Sequence, residues 1–192
     1  PVFCAIRPPG HHAERDKAMG FCLFNNIAVA AAHALEVHGL NRVAIVDFDV
    51  HHGNGTEHIF HDDRRILFCS AFQHPFYPFT GHDSGTANLV DVPLPAGTAG
   101  AEFRAAIADK WLPALDAFQP EFLFISAGFD AHILDDMSGL ALSEADYAWL
   151  TTQLVGIAAD HADGRILSML EGGYEPGALA RSVVSHLNAL LG

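Results

Sequence analysis

The sequence predicts an α/β domain with a mainly parallel sheet. Three observations carry this. Short apolar runs stop abruptly in polar or glycine residues, as strands do when helices cover both faces of a sheet. Segments with helical spacing lie between those runs, so strands and helices alternate. The chain has 192 residues, half of them hydrophobic, which suffices for one sizeable core and makes a single domain over 1–192 the expectation.

The elements follow in order. Val2 to Ile6 is an apolar run at the very start and reads as a core strand. Asn26 to His38 is alanine-rich, closes on Gly39, and reads as a helix. Val43–Val46 and Ile66–Cys69 are the next two strands. Residues 71–100 are crowded with Pro, Gly, Phe and Thr and are expected to form a long irregular loop, a kind that is often functional. Ala101 to Phe118 has helical spacing, and Phe122–Ile125 is again a strand. Ser143 to Ala162 is a helix, with Ser143 as its N-cap and acids in its first turn. Ile166–Leu170 is the last strand, and Pro176 to Leu191 is a helix with Pro at its start. Repeats, linkers and low-complexity tracts are not evident.

The formal charge is -13, from 23 acidic and 10 basic residues, which argues against a nucleic-acid-binding face and favours cations as partners. Cys4, Cys22 and Cys69 are an odd set without framework spacing and suit a reducing compartment, so a cytoplasmic protein is expected. No stretch has the length of a membrane span, and the first residues lack the marks of a secretion signal. Because the chain opens inside a strand, it is expected to be a fragment whose N-terminal part is missing.

Ligands of open α/β sheets bind beyond the carboxyl ends of the strands, so the residues after each run matter most. After the second strand comes Asp47-Phe48-Asp49-Val50-His51-His52-Gly53-Asn54-Gly55. Side chains alternate along extended chain, which places Asp47, Asp49 and His51 on one face. Two carboxylates and an imidazole at a buried strand end are costly without a cation, and Asp and His are ordinary zinc ligands. After the strand at Phe122–Ile125, Asp130 lies at the same edge and is the candidate third ligand. After the last strand, Glu171-Gly172-Gly173-Tyr174 combines two glycines, which let backbone approach a ligand, with a tyrosine that can offer its hydroxyl. After the first strand, Pro8-Pro9-Gly10 presents His11 and His12, whose titration near neutrality suits proton transfer. Such a cluster points to metal-assisted hydrolysis of an amide or ester. No serine nucleophile elbow is present.

At these residues the sequence resembles the histone deacetylase superfamily, with its bacterial deacetylase-like amidohydrolases, acetylpolyamine amidohydrolases and acetoin-utilisation proteins. The matching blocks are Arg7 to Ala13, Gly20 to Asn26, Val46 to Gly55, Ser126 to His132 and Glu171 to Tyr174, in the family order. The first block and Asn54 look more like the class II branch. The resemblance implies the three-layer arginase/deacetylase-type fold, of which this chain would be the C-terminal portion. It implies Zn2+ on Asp49, His51 and Asp130, an acid/base pair in His11 and His12, and carboxylate and amide support from Asp47 and Asn54. Asn in place of Asp should leave its histidine less basic, which fits an electrostatic or acid role. Tyr174 matches the oxyanion-stabilising tyrosine. Gly20, Phe21, Tyr77, Met137 and Gly173 match the substrate channel, with Phe79 a neighbour. K+ is also implied, at Ser70 with Asp47, Asp49 and His51, and at a second place near Phe60.

The activity so implied is zinc-dependent hydrolysis of a linear acyl-amide, on an acetyl-lysine peptide or an acetylpolyamine, by water activated at the metal. The alternatives are a zinc esterase or thioesterase using the same residues, and a non-catalytic module that binds acyl-lysine. A homo-oligomer is compatible with all of them.

Overall fold

The computed structural model describes residues 1–81 and 85–192. The elements run β1 (Val2–Cys4), α1 (Asn26–Glu36), β2 (Val43–Asp47), α2 (Asn54–Phe60), β3 (Ile66–Gln73), β4 (Leu89–Leu94), α3 (Gly100–Phe118), β5 (Phe122–Ala127), α4 (Glu144–His161), β6 (Ile166–Leu170) and α5 (Pro176–Leu191). The strands form one six-stranded sheet in the order β1-β6-β5-β2-β3-β4, with every pairing parallel. All the strands therefore end at one edge.

Alternation along the strands divides the core into two layers. Ala44 and Val46 of β2 face Phe103, Ile107 and Trp111 of α3 and Tyr147, Leu150 and Leu154 of α4, with α5 packed beside them. Val43 and Ile45 face the other way, onto Ile27, Ala28 and Ala31 of α1 and Phe60 of α2. The result is helix, sheet and helix in three layers. The helix starts are secured locally. Asn25 accepts from the amide of Ala28 at 3.0 Å, and Ser143 and Asp146 form a reciprocal capping box at α4.

Two elements depart from the sequence expectation. The segment 71–100 is not one irregular loop: β3 continues to Gln73 and β4 adds a sixth strand at Leu89–Leu94. The part of that expectation falling on 82–84 lies outside the described residues. β4 is an edge strand that pairs only with β3 and carries Pro93, tolerated there because its outer side needs no ladder donor. The short helix α2, begun in the Gly53-Asn54-Gly55 turn, was also unanticipated.

No helix among the described residues is long and apolar enough to cross a membrane.

Candidate metal centre

β2 and β5 are neighbours in register, with Asp47 opposite Ser126. The chain leaving each strand therefore emerges at the same place, and this brings Asp49 and His51 to Asp130. One ligand atom from each of these three buried residues lies within 4.8 Å of the other two. Oδ1 of Asp49 is 3.0 Å and Oδ2 of Asp130 is 3.2 Å from Nδ1 of His51. Backbone amides fix the remaining carboxylate oxygens. Val50 donates to Oδ1 of Asp130 at 2.9 Å and Gly172 to Oδ2 of Asp49 at 2.7 Å. Oδ2 of Asp130 makes no well-directed hydrogen bond although it is buried. Phe48 and Val50, the alternate residues, sink into the core on the α3/α4 side.

The electrostatics favour a cation between these groups. Burial opposes charge on His51, yet the close carboxylates of Asp130 and Asp49 hold its pKa up to about 10. Burial and the charge of Asp49 push Asp130 up to about 6. Burial also works against ionisation of Asp49, but His11 and His51 hold it below the ordinary carboxylate range. A divalent ion satisfies two buried carboxylates at once, and carboxylate oxygen and imidazole nitrogen are both ordinary zinc ligands. Gly172 keeps this space open, since a Cβ there would fall 2.1 Å from Oδ2 of Asp130.

The Pro-Pro-Gly turn after β1 delivers the two histidines. Nδ1 of His11 is 2.9 Å from Oδ2 of Asp47, and Nδ1 of His12 is 2.8 Å from Oδ1 of Asn54. Their rings are 4.0 Å apart. The partners set them at opposite ends of the titration range. Burial opposes charge on His11, but Asp47, Asp49 and Glu171 overcome it and raise the pKa well above 6.5. For His12, burial and the neighbouring His11 lower the pKa to about 3, and the neutral Asn54 amide restores little. Gly20, at φ 55°, touches the His12 ring. A Cβ there would stand 2.2 Å from its Cδ2.

His51 joins the two histidines in the lining of a pocket of about 400 Å³, with Asp49 and Asp130 in contact with His51 behind it. Its lining includes His11, His12 and His51, then Gly20, Phe21, Tyr77, Met137 and Tyr174. All of these are residues that the sequence marks out. The Tyr77 ring meets the His12 ring edge-on at 5.1 Å, and Phe21 stands 6.3 Å from Tyr174 across the mouth. Phe21 holds φ 65°, a sparsely populated region for a bulky residue, and presents an exposed ring. Burial, followed by the charges of Asp49 and Asp130, raises the pKa of Tyr174, which keeps its hydroxyl protonated.

Other predicted residues lie elsewhere. Gly172, not Gly173, lines the pocket, while the carbonyl of Gly173 accepts from Arg7 at 3.1 Å. Phe79 is exposed and is not part of the lining. Ser70 bonds His52, with Oγ 3.0 Å from Nδ1, and the other nitrogen of His52 meets Glu57. Asp91 completes a second group of ligating types with His52 and Glu57. Phe60 is buried under α1, and its carbonyl accepts from Asn88 at 3.0 Å and from the amide of Asp63 at 3.0 Å.

Three residues beyond those predicted build the site. Phe76 stacks on His51 at 5.4 Å. Glu171 is fully buried and accepts from the amides of Gly10 at 2.7 Å and His11 at 3.1 Å, so it seats the histidine turn. Burial, only partly offset by His11, pushes its pKa up to about 7. Asp135 accepts from the amide of Tyr174 at 2.6 Å. An acid directly after a strand was the only available sign of Glu171, and Asp135 gave none.

Residues 1–190 match the family model described as the histone deacetylase domain. The chain is 42% identical to histone deacetylase 14, chloroplastic, of Arabidopsis thaliana, over 99% of this chain and 46% of that protein. It is 41% identical to a probable deacetylase of Archaeoglobus fulgidus, over 100% of this chain and 55% of that one. It is likewise 41% identical to the human polyamine deacetylase HDAC10, over 97% and 29%. The crystal structure of the HDA15 HD domain superposes with a TM-score of 0.90 at 38% identity, covering 98% of this chain and 55% of that one. The chain thus spans about half the length of the plant and archaeal relatives.

Proposed function

Because this chain belongs to the histone deacetylase family, we propose that it carries the active site of a zinc-dependent amidohydrolase that removes an acyl group from an amine. The observation that supports this most is the meeting of Asp49 and Asp130 with His51, which lines a pocket together with His11, His12 and Tyr174. Its substrate is an acylated amine, such as an acetyl-lysine peptide or an acetylpolyamine. A zinc ion on the three ligands supplies Lewis acidity toward the amide carbonyl and lowers the pKa of water.

The chain's own residues do the rest. Phe21, Tyr77 and Met137 hold the apolar stem of the substrate and exclude water from the reacting amide. His12 is the neutral member of the pair and accepts the proton of the attacking water at Nε2, because Nδ1 is tied to Asn54. His11, paired with Asp47, carries positive charge beside the developing oxyanion. This differs from the acid role that the Asn54 substitution alone suggests: a histidine of such low basicity is available as an acceptor. Tyr174 donates its hydroxyl to the oxyanion. As the C–N bond breaks, the leaving amine nitrogen takes from His12 the proton that came from water.

The test is hydrolysis of a panel of acylated lysine peptides and acetylpolyamines, with matched esters, alongside metal analysis of the same sample. About one zinc per chain, and amide turnover abolished together with zinc in Asp130→Asn, are the expected results. A zinc-loaded protein that hydrolyses none of the amides, or an Asp130→Asn variant that keeps both metal and turnover, would overturn the proposal.

A further inference from the structure

A single carboxylate ties two walls of the pocket together. Asp135 is buried in the segment that follows Asp130, and its two oxygens accept three backbone N–H groups. Oδ2 takes the amides of Tyr174 at 2.6 Å and Glu175 at 3.1 Å, and Oδ1 takes the amide of Met137 at 3.0 Å. The segment is itself braced on the metal side, where Ser138 donates its hydroxyl to the carbonyl of Asp130 at 2.8 Å. Tyr174 needs such an anchor. It follows two glycines at the end of β6, and Gly173 has φ 130°, a conformation that residues with side chains rarely adopt, so no side chain from these two positions braces the turn. Its side chain is more than one-third exposed and has no side-chain hydrogen bond among the described residues, so it is held chiefly through its main chain.

We infer that Asp135 is a positioning residue: by gripping the amides of Tyr174 and Glu175 it fixes where the Tyr174 hydroxyl stands over the pocket floor. The inference rests on the role given above to Tyr174. Ionised carboxylate suits the task because both oxygens accept and neither donates. The isosteric amide turns one of the two into an NH₂, which must then face backbone N–H groups.

The test compares Asp135→Asn, Tyr174→Phe and the double variant as zinc-loaded proteins. Asp135→Asn is expected to lower kcat about tenfold to a hundredfold, the loss that a small misplacement of a reacting group brings, with KM changed less than threefold and zinc content unchanged. In the Tyr174→Phe background the same substitution should change kcat less than twofold, since the hydroxyl it positions is gone. Equal losses in both backgrounds would show a merely structural role and overturn the inference. A second readout is independent of turnover. The chain has three tyrosines, so 3-fluorotyrosine labelling gives three ¹⁹F resonances, and Tyr174→Phe identifies one. Asp135→Asn should shift or broaden that signal and leave that of buried Tyr147 in place. An unmoved, sharp Tyr174 signal refutes the anchor whatever the activity, whereas a wild type inactive on every substrate refutes only the proposed function. If Asp135→Asn does not yield folded protein, Asp135→Ser, which can serve one N–H group, carries the same comparison.

Discussion

At the scale of single residues, the histidine pair shows how one atom in a partner changes the chemistry of a ring. His11 and His12 are adjacent in sequence and 4.0 Å apart in space, yet one faces a carboxylate and the other an amide. Replacing Asn54 by Asp would place negative charge 2.8 Å from Nδ1 of His12 and raise its pKa. If His12 must be neutral to accept a proton, the acid limb of the pH profile of kcat/KM should move to higher pH in Asn54→Asp, with the alkaline limb unmoved. Profiles of the two proteins on one amide substrate check this, and an acid limb shifted downward would remove His12 as the acceptor. On the proposed mechanism, Tyr174→Phe deletes one donor to the oxyanion and leaves the ring in place. Turnover should fall about 10²- to 10³-fold, while zinc per chain stays near one.

At the scale of elements, what the sequence made readable depended on how each segment is buried. β2, β5 and β6 are covered on both faces, and their apolar runs marked them within two residues. β4 is covered on one side only, mixes Asp91 and Pro93 with its apolar residues, and so resembled a loop. Asp49, His51 and Asp130 stood out as candidate metal ligands because they follow strands, where alternation fixes the facing side. Asp135 and Glu171 were not, because their work is to accept backbone N–H groups from loops whose path only the folded chain defines. His186 belongs to this hidden class. It joins three elements: α5 carries it, Thr151 of α4 stands 2.7 Å from Nδ1, and Ser168 of β6 stands 2.9 Å from Nε2. Thr151 gives its own proton to the carbonyl of Tyr147 at 2.7 Å, so Nδ1 of His186 must donate and Nε2 must accept from Ser168. Burial lowers its pKa from 6.5 to about 4. Between those values the unfolded chain binds more protons than the folded one, so the stability contributed by neutral His186 is full above pH 6.5 and lost as pH falls toward 4. The loss amounts to about 3 kcal/mol. Urea unfolding followed by tryptophan fluorescence across this range should show His186→Leu losing less stability on acidification than the wild type. Parallel curves would show that His186 does not titrate as buried neutral imidazole.

At the scale of the whole molecule, the fold concentrates negative charge where it cannot be solvated. The chain carries a formal charge of -13, and Asp47, Asp49, Asp130 and Glu171 are all buried at one edge of the sheet. Such a concentration weakens the folded state unless cations answer it. His11 answers part of it from within the chain, and an ion on Asp49, His51 and Asp130, with His51 neutral as a ligand, would answer the rest. The ligands come from the loops after β2 and β5, the two central strands, so an ion there joins the halves of the sheet rather than decorating one loop. Binding to the folded state alone stabilises it by about 2.7 kcal/mol when free ion is a hundred times the dissociation constant. For a domain of this size that corresponds to a rise in Tm of roughly 5–10 °C. Metal-stripped protein titrated with ZnCl₂ in a melting experiment should show that rise, and excess chelator should reverse it. Asp130→Asn, which keeps the shape of the site and removes one anionic ligand, should show little or none. A Tm that rises equally in wild type and Asp130→Asn would place the stabilising ion elsewhere on this acidic surface and separate the metal from the catalytic pocket.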